Sequence, residues 1–261
     1  MGETSTVLAT TLGSIILLMF LLWLTSLALK DASIVDTFWG IGFAVIAWIS
    51  FAITNGYAPR KLIIATLVTI WGLRLAAHIF RRNHGKGEDF RYRRMRARHG
   101  DRFAVVSLFT VFGLQGLLMW IISLPIQVAQ VSTAPARLKW LDVTGVALWA
   151  IGFMFEAIGD WQLMRFKADS TNAGKVMRRG LWAYTRHPNY FGDATVWWGL
   201  FLIAAATPGS LWTIISPAIM TFLLMKVSGV ALLEKSLVKT KPEYQDYVRR
   251  TSAFFPWIPG R

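Results

Sequence analysis

The chain contains no cysteine. That excludes disulfides, a thiol nucleophile and any thiolate metal site. Acids are scarce, 14 against 28 Lys and Arg. No Ser/Gly-rich linker, low-complexity tract or internal repeat interrupts the 261 residues. Nothing therefore divides the chain into domains, and an inverted-repeat transporter is not indicated. No Gly-x-Gly-x-x-Gly follows a strand-like run, which excludes a Rossmann dinucleotide site. His84 and His99 lack a partner set at ligand spacing, so no metal is expected. The first apolar run starts near Thr6 without a basic n-region or an obvious Ala-x-Ala site, and it reads as a retained helix.

What the chain does have is apolar length. Hydrophobic residues make up 54%, with 13 Trp and 17 Phe, and several runs reach the roughly 20 residues that cross a bilayer as helix. The expectation is a single all-α integral membrane domain, residues 1–261, with about seven transmembrane helices. These are placed at about Thr6–Leu29, Ser33–Ile53, Lys61–Phe80, Ala104–Gln130, Leu138–Phe166, Pro188–Ala206 and Leu211–Glu234. Between the third and fourth, Arg81–Phe103 is read as a long basic loop with nine Lys/Arg against three acids. Together with Lys167–His187 and the net-positive stretch ending at Arg261, it should be cytoplasmic by the positive-inside tendency. That puts the N-terminus outside and the C-terminus inside. The net charge of +14 is concentrated in these connections, which points to anionic headgroups and not to nucleic acid. A bacterial inner membrane or a eukaryotic endoplasmic reticulum fits, with the active site facing the cytosol. Oligomeric state is not legible. Trp and Phe at span edges read as interface anchors, and Gly113 and Gly116 as close-packing positions.

Ionisable residues inside spans face a bundle interior or a cavity by default. Here they share a depth. Asp36 begins the second span. Arg74 and His78 lie one turn apart near the end of the third. Glu156 and Asp160 share a face near the end of the fifth. Asn189, Asp193 and Trp197 form an i, i+4, i+8 stripe at the start of the sixth, and Glu234 ends the seventh. The densest stretch is Arg186-His187-Pro188-Asn189-Tyr190-Phe191-Gly192-Asp193. Arg186, Arg178, Arg179, Lys167 and the group around Arg91 supply cations suited to phosphate. Pro188 suits the first position of a helix, whose N-terminus adds positive potential. Asn189, Asp160 and Asp193 can bind ribose hydroxyls or an amide. A phosphorylated dinucleotide would use all of these.

The octapeptide, with Gly180-Leu181-Trp182 before it, resembles the most distinctive motif of membrane sterol reductases. Asp160-Trp161-Gln162 with Phe166-Lys167 is similar to a second segment of those enzymes. Leu232-Leu233-Glu234-Lys235, Pro242-Glu243-Tyr244, Tyr247 and Thr251-Ser252-Ala253-Phe254-Phe255-Pro256 look like the end of the same superfamily. Ser33-Ile34-Val35-Asp36-Thr37-Phe38-Trp39-Gly40 and Gly87-Glu88-Asp89-Phe90-Arg91-Tyr92 resemble an uncharacterised group classed with the steroid 5-alpha-reductase C-terminal domain. The resemblance implies a seven-helix fold that binds NADPH from the cytosol and transfers hydride to a carbon–carbon double bond of a steroid-like or other lipid substrate. Carried over by position, it makes Asp160, Lys167, Arg186, His187, Asn189, Tyr190, Asp193 and Tyr244 cofactor candidates, with Trp197 lining the nicotinamide pocket. Glu156 and Arg91 join them from the reading of the polar residues. Steroid 5-alpha-reductases carry a Gln-Glu pair and a Tyr around the substrate carbonyl. This chain has neither: Asp36 is the acid of the second span, and His78 is the nearest counterpart of the Tyr.

Reducing an activated alkene needs a hydride and a proton. The hydride would come from the nicotinamide. His78 suits the proton by the intrinsic range of imidazole, with Asp36 orienting it or donating, so His78 and Asp36 are the catalytic candidates. Tyr92, Tyr184 and Tyr190 are rival donors. The alternative reading is an S-adenosylmethionine-dependent methyltransferase of the isoprenylcysteine carboxyl type, which shares an Arg-His-Pro-x-Tyr-x-Gly stretch. A third is a lipid-binding protein without turnover.

Overall fold

The computed structural model describes residues 2–227, 229–230, 234, 237–238, 240–241 and 243–260. Every regular element among them is helical. Among the described residues, five helical runs are long and apolar enough to cross a membrane: α1 (Gly2–Leu29), α2 (Ile34–Ile53), α3 (Ala58–Asn83), the run Phe90–Ile122, and α8 (Trp140–Ala168). The fourth run comprises α4 (Phe90–His99), α5 (Phe103–Ser107) and α6 (Leu114–Ile122), with a π-helical turn at Leu108–Gly113. It is followed by the short α7 (Leu124–Val128). Next come α9 (Pro188–Ala205), a shorter apolar helix Leu211–Val227 that contains α10 (Ile215–Phe222), and α11 (Tyr244–Arg250). The expected seventh span, Leu211–Glu234, runs past Val227 into a stretch where residues 228 and 231–233 lie outside the described ones; Val230 and Glu234 are helical. Of the motif at 232–235 only Glu234 is described, and Pro242 also lies outside the described residues.

The burial pattern shows what kind of solvent these helices meet. Along α1 the buried residues are Val7, Thr11, Ile15, Met19, Leu22 and Ser26, one stripe spaced by three and four. Its other faces are equally apolar yet open, with Ile16 61% and Leu17 59% exposed. A helix that is apolar all round and buried along one stripe belongs in lipid, where the remaining faces meet acyl chains.

The helices form two compact units, residues 1–139 with 203–213, and residues 140–202 with 214–261. In the first, α2 and α3 make an antiparallel pair around Gly40 and Gly72. A Cβ on either would strike the other's carbonyl oxygen, so two glycines let the backbones touch. Gly116 likewise admits the side chains of Met19 and Ile15, whereas the space beside Gly113 is taken by the Leu108 carbonyl of its own π turn. Polar groups close the other end. Thr11 Oγ1 donates to Gln127 Oε1 (2.6 Å), and Gln127 Nε2 donates to Ser123 Oγ (2.7 Å). Both donors are buried, so each bond satisfies a group that lipid could not.

The expected basic loop Arg81–Phe103 is largely helix. Asp89 caps α4 by accepting from the Arg91 amide (2.9 Å), and Gly100, at φ 51°, ends it. Its docking partners are the α1–α2 turn and the first turn of α2, which the local sequence of the loop does not reveal. Glu88 accepts from the Ala32 amide (2.9 Å) and from Arg96 Nη2 (2.8 Å), and Arg96 stacks over Phe103 at 4.1 Å. Burial raises the Glu88 carboxyl, but the bonds from Arg96 and Ala32 and the charges of Arg96 and Arg93 outweigh it, and the group is held below its ordinary value. A depressed carboxylate contributes stability above its unfolded pKa, roughly 4.3, and loses that contribution as pH falls through the folded value. The thermal stability of the purified protein should therefore fall as pH drops below the unfolded value of roughly 4.3. Glu88→Gln should be less stable at neutral pH and show a smaller acid-dependent loss. An unchanged acid dependence in that variant would assign the loss to other carboxylates.

Candidate functional site

The second unit is organised by glycines seven residues apart. Gly145, Gly152 and Gly159 lie along α8, and Gly192 and Gly199 along α9. A Cβ at Gly199 would come within 2.6 Å of the Trp149 amide nitrogen, and one at Gly152 within 2.6 Å of the Gly192 carbonyl oxygen. A Cβ at Gly192 would strike the Glu156 amide nitrogen, and one at Gly159 would come within 3.2 Å of the Asn189 amide nitrogen. A seven-residue repeat keeps one seam facing its partner along both helices, and glycine lets the backbones meet there. The seam brings the polar end of α8 against the first turn of α9.

Three groups of polar side chains result. The first is centred on Glu234. Arg186 Nε donates to Glu234 Oε1 (2.7 Å) and Nη2 to Oε2 (3.2 Å), while Nη1 donates to the Val248 carbonyl (3.0 Å) and to that of Thr251. His187 Nε2 lies 3.1 Å from Glu234 Oε1, and its ring stacks on Tyr190 at 5.5 Å and 7°. Arg186 and His187 are buried. The second group is Asn189 Nδ2 donating to Asp160 Oδ1 (3.0 Å), with Asp160 and Glu156 buried one turn apart. Asn189 Oδ1 is buried and accepts no hydrogen bond from the described residues. The third is α11 against the basic connection: Arg178 Nη1 donates to Asp246 Oδ2 (3.2 Å), and the Tyr247 hydroxyl donates to the Trp182 carbonyl. Tyr244 is buried, which, with the negative charge of Glu234, pushes its phenol up to about 12. It stays a neutral phenol at physiological pH.

Asp193 is half-buried and Trp197 fully buried on the same face of α9 as Asn189. Lys167 is exposed at the end of α8. The remaining candidates belong to the first unit. Asp36 accepts from Arg91 Nη2 (2.5 Å) and from the Tyr92 hydroxyl (2.7 Å), and Gln115 Nε2 donates to the same hydroxyl (3.2 Å). Arg91 Nε also donates to Asp89 (2.9 Å). Both acids are thus met by α4. His78 is half-buried, one turn after Arg74 in α3. Among the described residues no three His, Asp or Glu side chains gather as a metal-binding group. Sequence reasoning named Glu234 as a span end but not as the partner of Arg186 and His187; the two lie 48 and 47 positions away. The seven-residue glycine spacing was the available signal for the seam.

Removing one partner of a buried ion pair strands the other charge. The side chains of Arg186 and Glu234 are 8% and 21% exposed. Glu234→Ala should destabilise the protein by about 3 kcal/mol, seen as a lowered unfolding temperature in detergent. Glu234→Gln, which keeps acceptor geometry for one donor, should cost less. Equal, negligible effects would show that the guanidinium is compensated by Val248 and Thr251 alone.

The model for the family described as "Protein of unknown function (DUF1295)" matches residues 22–251. The chain is 26% identical over 271 aligned residues to "Uncharacterized protein C594.04c" of Schizosaccharomyces pombe, a match covering 92% of this chain and 76% of that protein. It is 32% identical over 74 residues to "3-oxo-5-alpha-steroid 4-dehydrogenase 1" of Bos taurus, covering 27% of this chain and 29% of that protein. No solved structure gives a significant match. The family match takes in α2 through α11 and with them all three polar groups, and the chain belongs to the DUF1295 family, a membrane family related to the steroid 5-alpha-reductases.

Proposed function

We propose that this protein is an NADPH-dependent membrane reductase acting on a carbon–carbon double bond of a steroid-like or other lipid substrate. The observation that carries the reading is the polar first turn of α9, where Asn189 Oδ1 is buried without a donor among the described residues while its amide nitrogen is held by Asp160. A buried acceptor left unmade is costly, and a ribose hydroxyl or a carboxamide N–H is the kind of group that would complete it. The partial likeness to a steroid dehydrogenase supports the same class of chemistry.

The residues present suit a phosphorylated dinucleotide. Asn189 and Asp160 offer acceptors for hydroxyls or an amide. Exposed Lys167 and Arg179 offer cations for phosphate. Glu234 neutralises Arg186 and fixes the His187 ring against Tyr190, so that wall is rigid before a ligand arrives. Trp197, fully buried on the Asn189 face of α9, would back a nicotinamide pocket from behind. Bound there, NADPH would supply a hydride. The chain must supply the proton. His78 is assigned that role because imidazole exchanges protons near neutrality. Asp36 is assigned the support of that end of the α2–α3 pair through Arg91 and Tyr92. The cations gathered in α4 and in the Lys167–His187 connection support a cytosolic active face.

Titration of the purified protein with NADPH and, separately, with S-adenosylmethionine should give saturable binding of the first. Binding of S-adenosylmethionine alone would replace the reductase with a methyltransferase. Asn189→Ala should weaken NADPH roughly five- to tenfold, the value of one hydrogen bond. His78→Phe should abolish oxidation of NADPH by an enone lipid while leaving NADPH affinity unchanged. Loss of affinity instead would move His78 into the cofactor site.

A further inference from the structure

We infer that the strap formed by residues 254–258 is a membrane-interface anchor that sets the depth of the Arg186–His187 segment relative to the bilayer. The strap has no regular helix, yet it is fixed. The Arg186 amide donates to the Ser252 carbonyl (2.9 Å) and the Trp257 amide to the Tyr184 carbonyl (2.9 Å). Thr185 Oγ1 donates to the Phe254 carbonyl (2.9 Å), and the Gly260 amide to the Arg250 carbonyl (2.9 Å). Phe254 is buried and packs edge-on against Phe191 at 6.0 Å.

So anchored, the strap presents Phe255, Trp257 and Ile258 outward, 65%, 74% and 80% exposed, with Tyr184 beside them at 49%. A rigid segment that holds out three large apolar side chains leaves their transfer energy unrealised in water, about 1.5–3 kcal/mol each when fully buried. Their neighbours indicate the occupant. Arg249 and Arg250 flank the strap with side chains 77% and 57% exposed, and together with Arg178 they share the Asp246 carboxylate. The patch therefore stays positive. Aromatic and aliphatic side chains beside a surplus of guanidinium match the boundary between acyl chains and phosphate headgroups. The ring of Phe191, in the first turn of α9, ties the patch to the mouth of an apolar helix, where that boundary falls. A soluble partner would require no such level. The strap bonds to Tyr184 and Thr185 and the Ser252 carbonyl just before it to the Arg186 amide, so anchoring it holds the polar group around Glu234 at headgroup depth. The inference does not depend on which cofactor is bound.

The absence of cysteine allows a direct test. Trp257→Cys and Ile258→Cys, each spin-labelled in nanodiscs containing anionic phospholipid, report oxygen and nickel-chelate accessibility. Ala173→Cys, exposed in the connection after α8, is the aqueous reference. Labels at 257 and 258 should favour oxygen over nickel several-fold more than the label at 173. Nickel accessibility at 258 equal to that at 173 would overturn the anchor. So would a label immobilised and shielded from both reagents, which would mean that protein covers the strap. Ile258 is 80% exposed, so its replacement leaves the fold intact should Trp257→Cys perturb it.

Discussion

The geometry of the second unit depends on how one buried guanidinium is compensated. Arg186 spends Nε and Nη2 on Glu234 and Nη1 on the carbonyls of Val248 and Thr251. Desolvating such a cation costs several kcal/mol unless all its donors are met. They are met only when the start of α9, residue 234 and the end of α11 arrive together. The chain thus forms this corner cooperatively or leaves a charge stranded. Glu234 also lies within hydrogen-bond distance of His187, so the charge pair that holds the corner also fixes the imidazole. The charge of Arg186 is largely answered inside the protein, so the phosphate of the proposed cofactor would draw its attraction chiefly from cations with open surroundings, such as exposed Arg179.

The glycine seam supplies the other half of that geometry. Lipid gives two apolar helices no hydrophobic reason to associate, so they associate through close packing. With Gly152 facing Gly192 and Gly159 facing the Pro188–Asn189 step, α8 and α9 approach until backbone meets backbone. Any side chain in the seam would separate the helices, and the 3.0 Å bond from Asn189 to Asp160 could not form. The seam therefore has a polar purpose as well as a packing one.

Much of this was legible in the sequence. Run lengths gave the long helices, and the octapeptide at 186–193 marked the polar mouth of α9, which begins at Pro188 as its fixed φ suggests. What escaped was long-range or masked by composition. Nine cations made Arg81–Phe103 look like a solvated loop. The Asp89 cap and the pairing of Glu88 with Arg96 turn ten of those residues into α4. Arg91 carries a charge suited to phosphate, yet its nearest anions are Asp36 and Asp89 of its own chain. No local spacing announces a contact made across 55 positions. The glycine repeats were in plain view, but a period of seven in glycine is a packing signal only once two helices are known to be neighbours.

These pairings divide the +14 charge into two populations with different physics. Arg91, Arg96 and Arg186 are bound to carboxylates of their own chain at 2.5–2.8 Å, and Arg186 is buried. Short, partly desolvated pairs are little affected by added salt. Arg81, Arg82, Arg93, Arg94 and Arg98 are exposed, and their field is screened within roughly 10 Å at 0.1 M ionic strength. Raising salt should therefore weaken attraction to headgroups or anionic ligands long before it loosens the fold. A loss of ligand affinity in high salt would speak to the exposed cations alone, because Arg91, Arg96 and Arg186 are already paired with Asp36, Glu88 and Glu234.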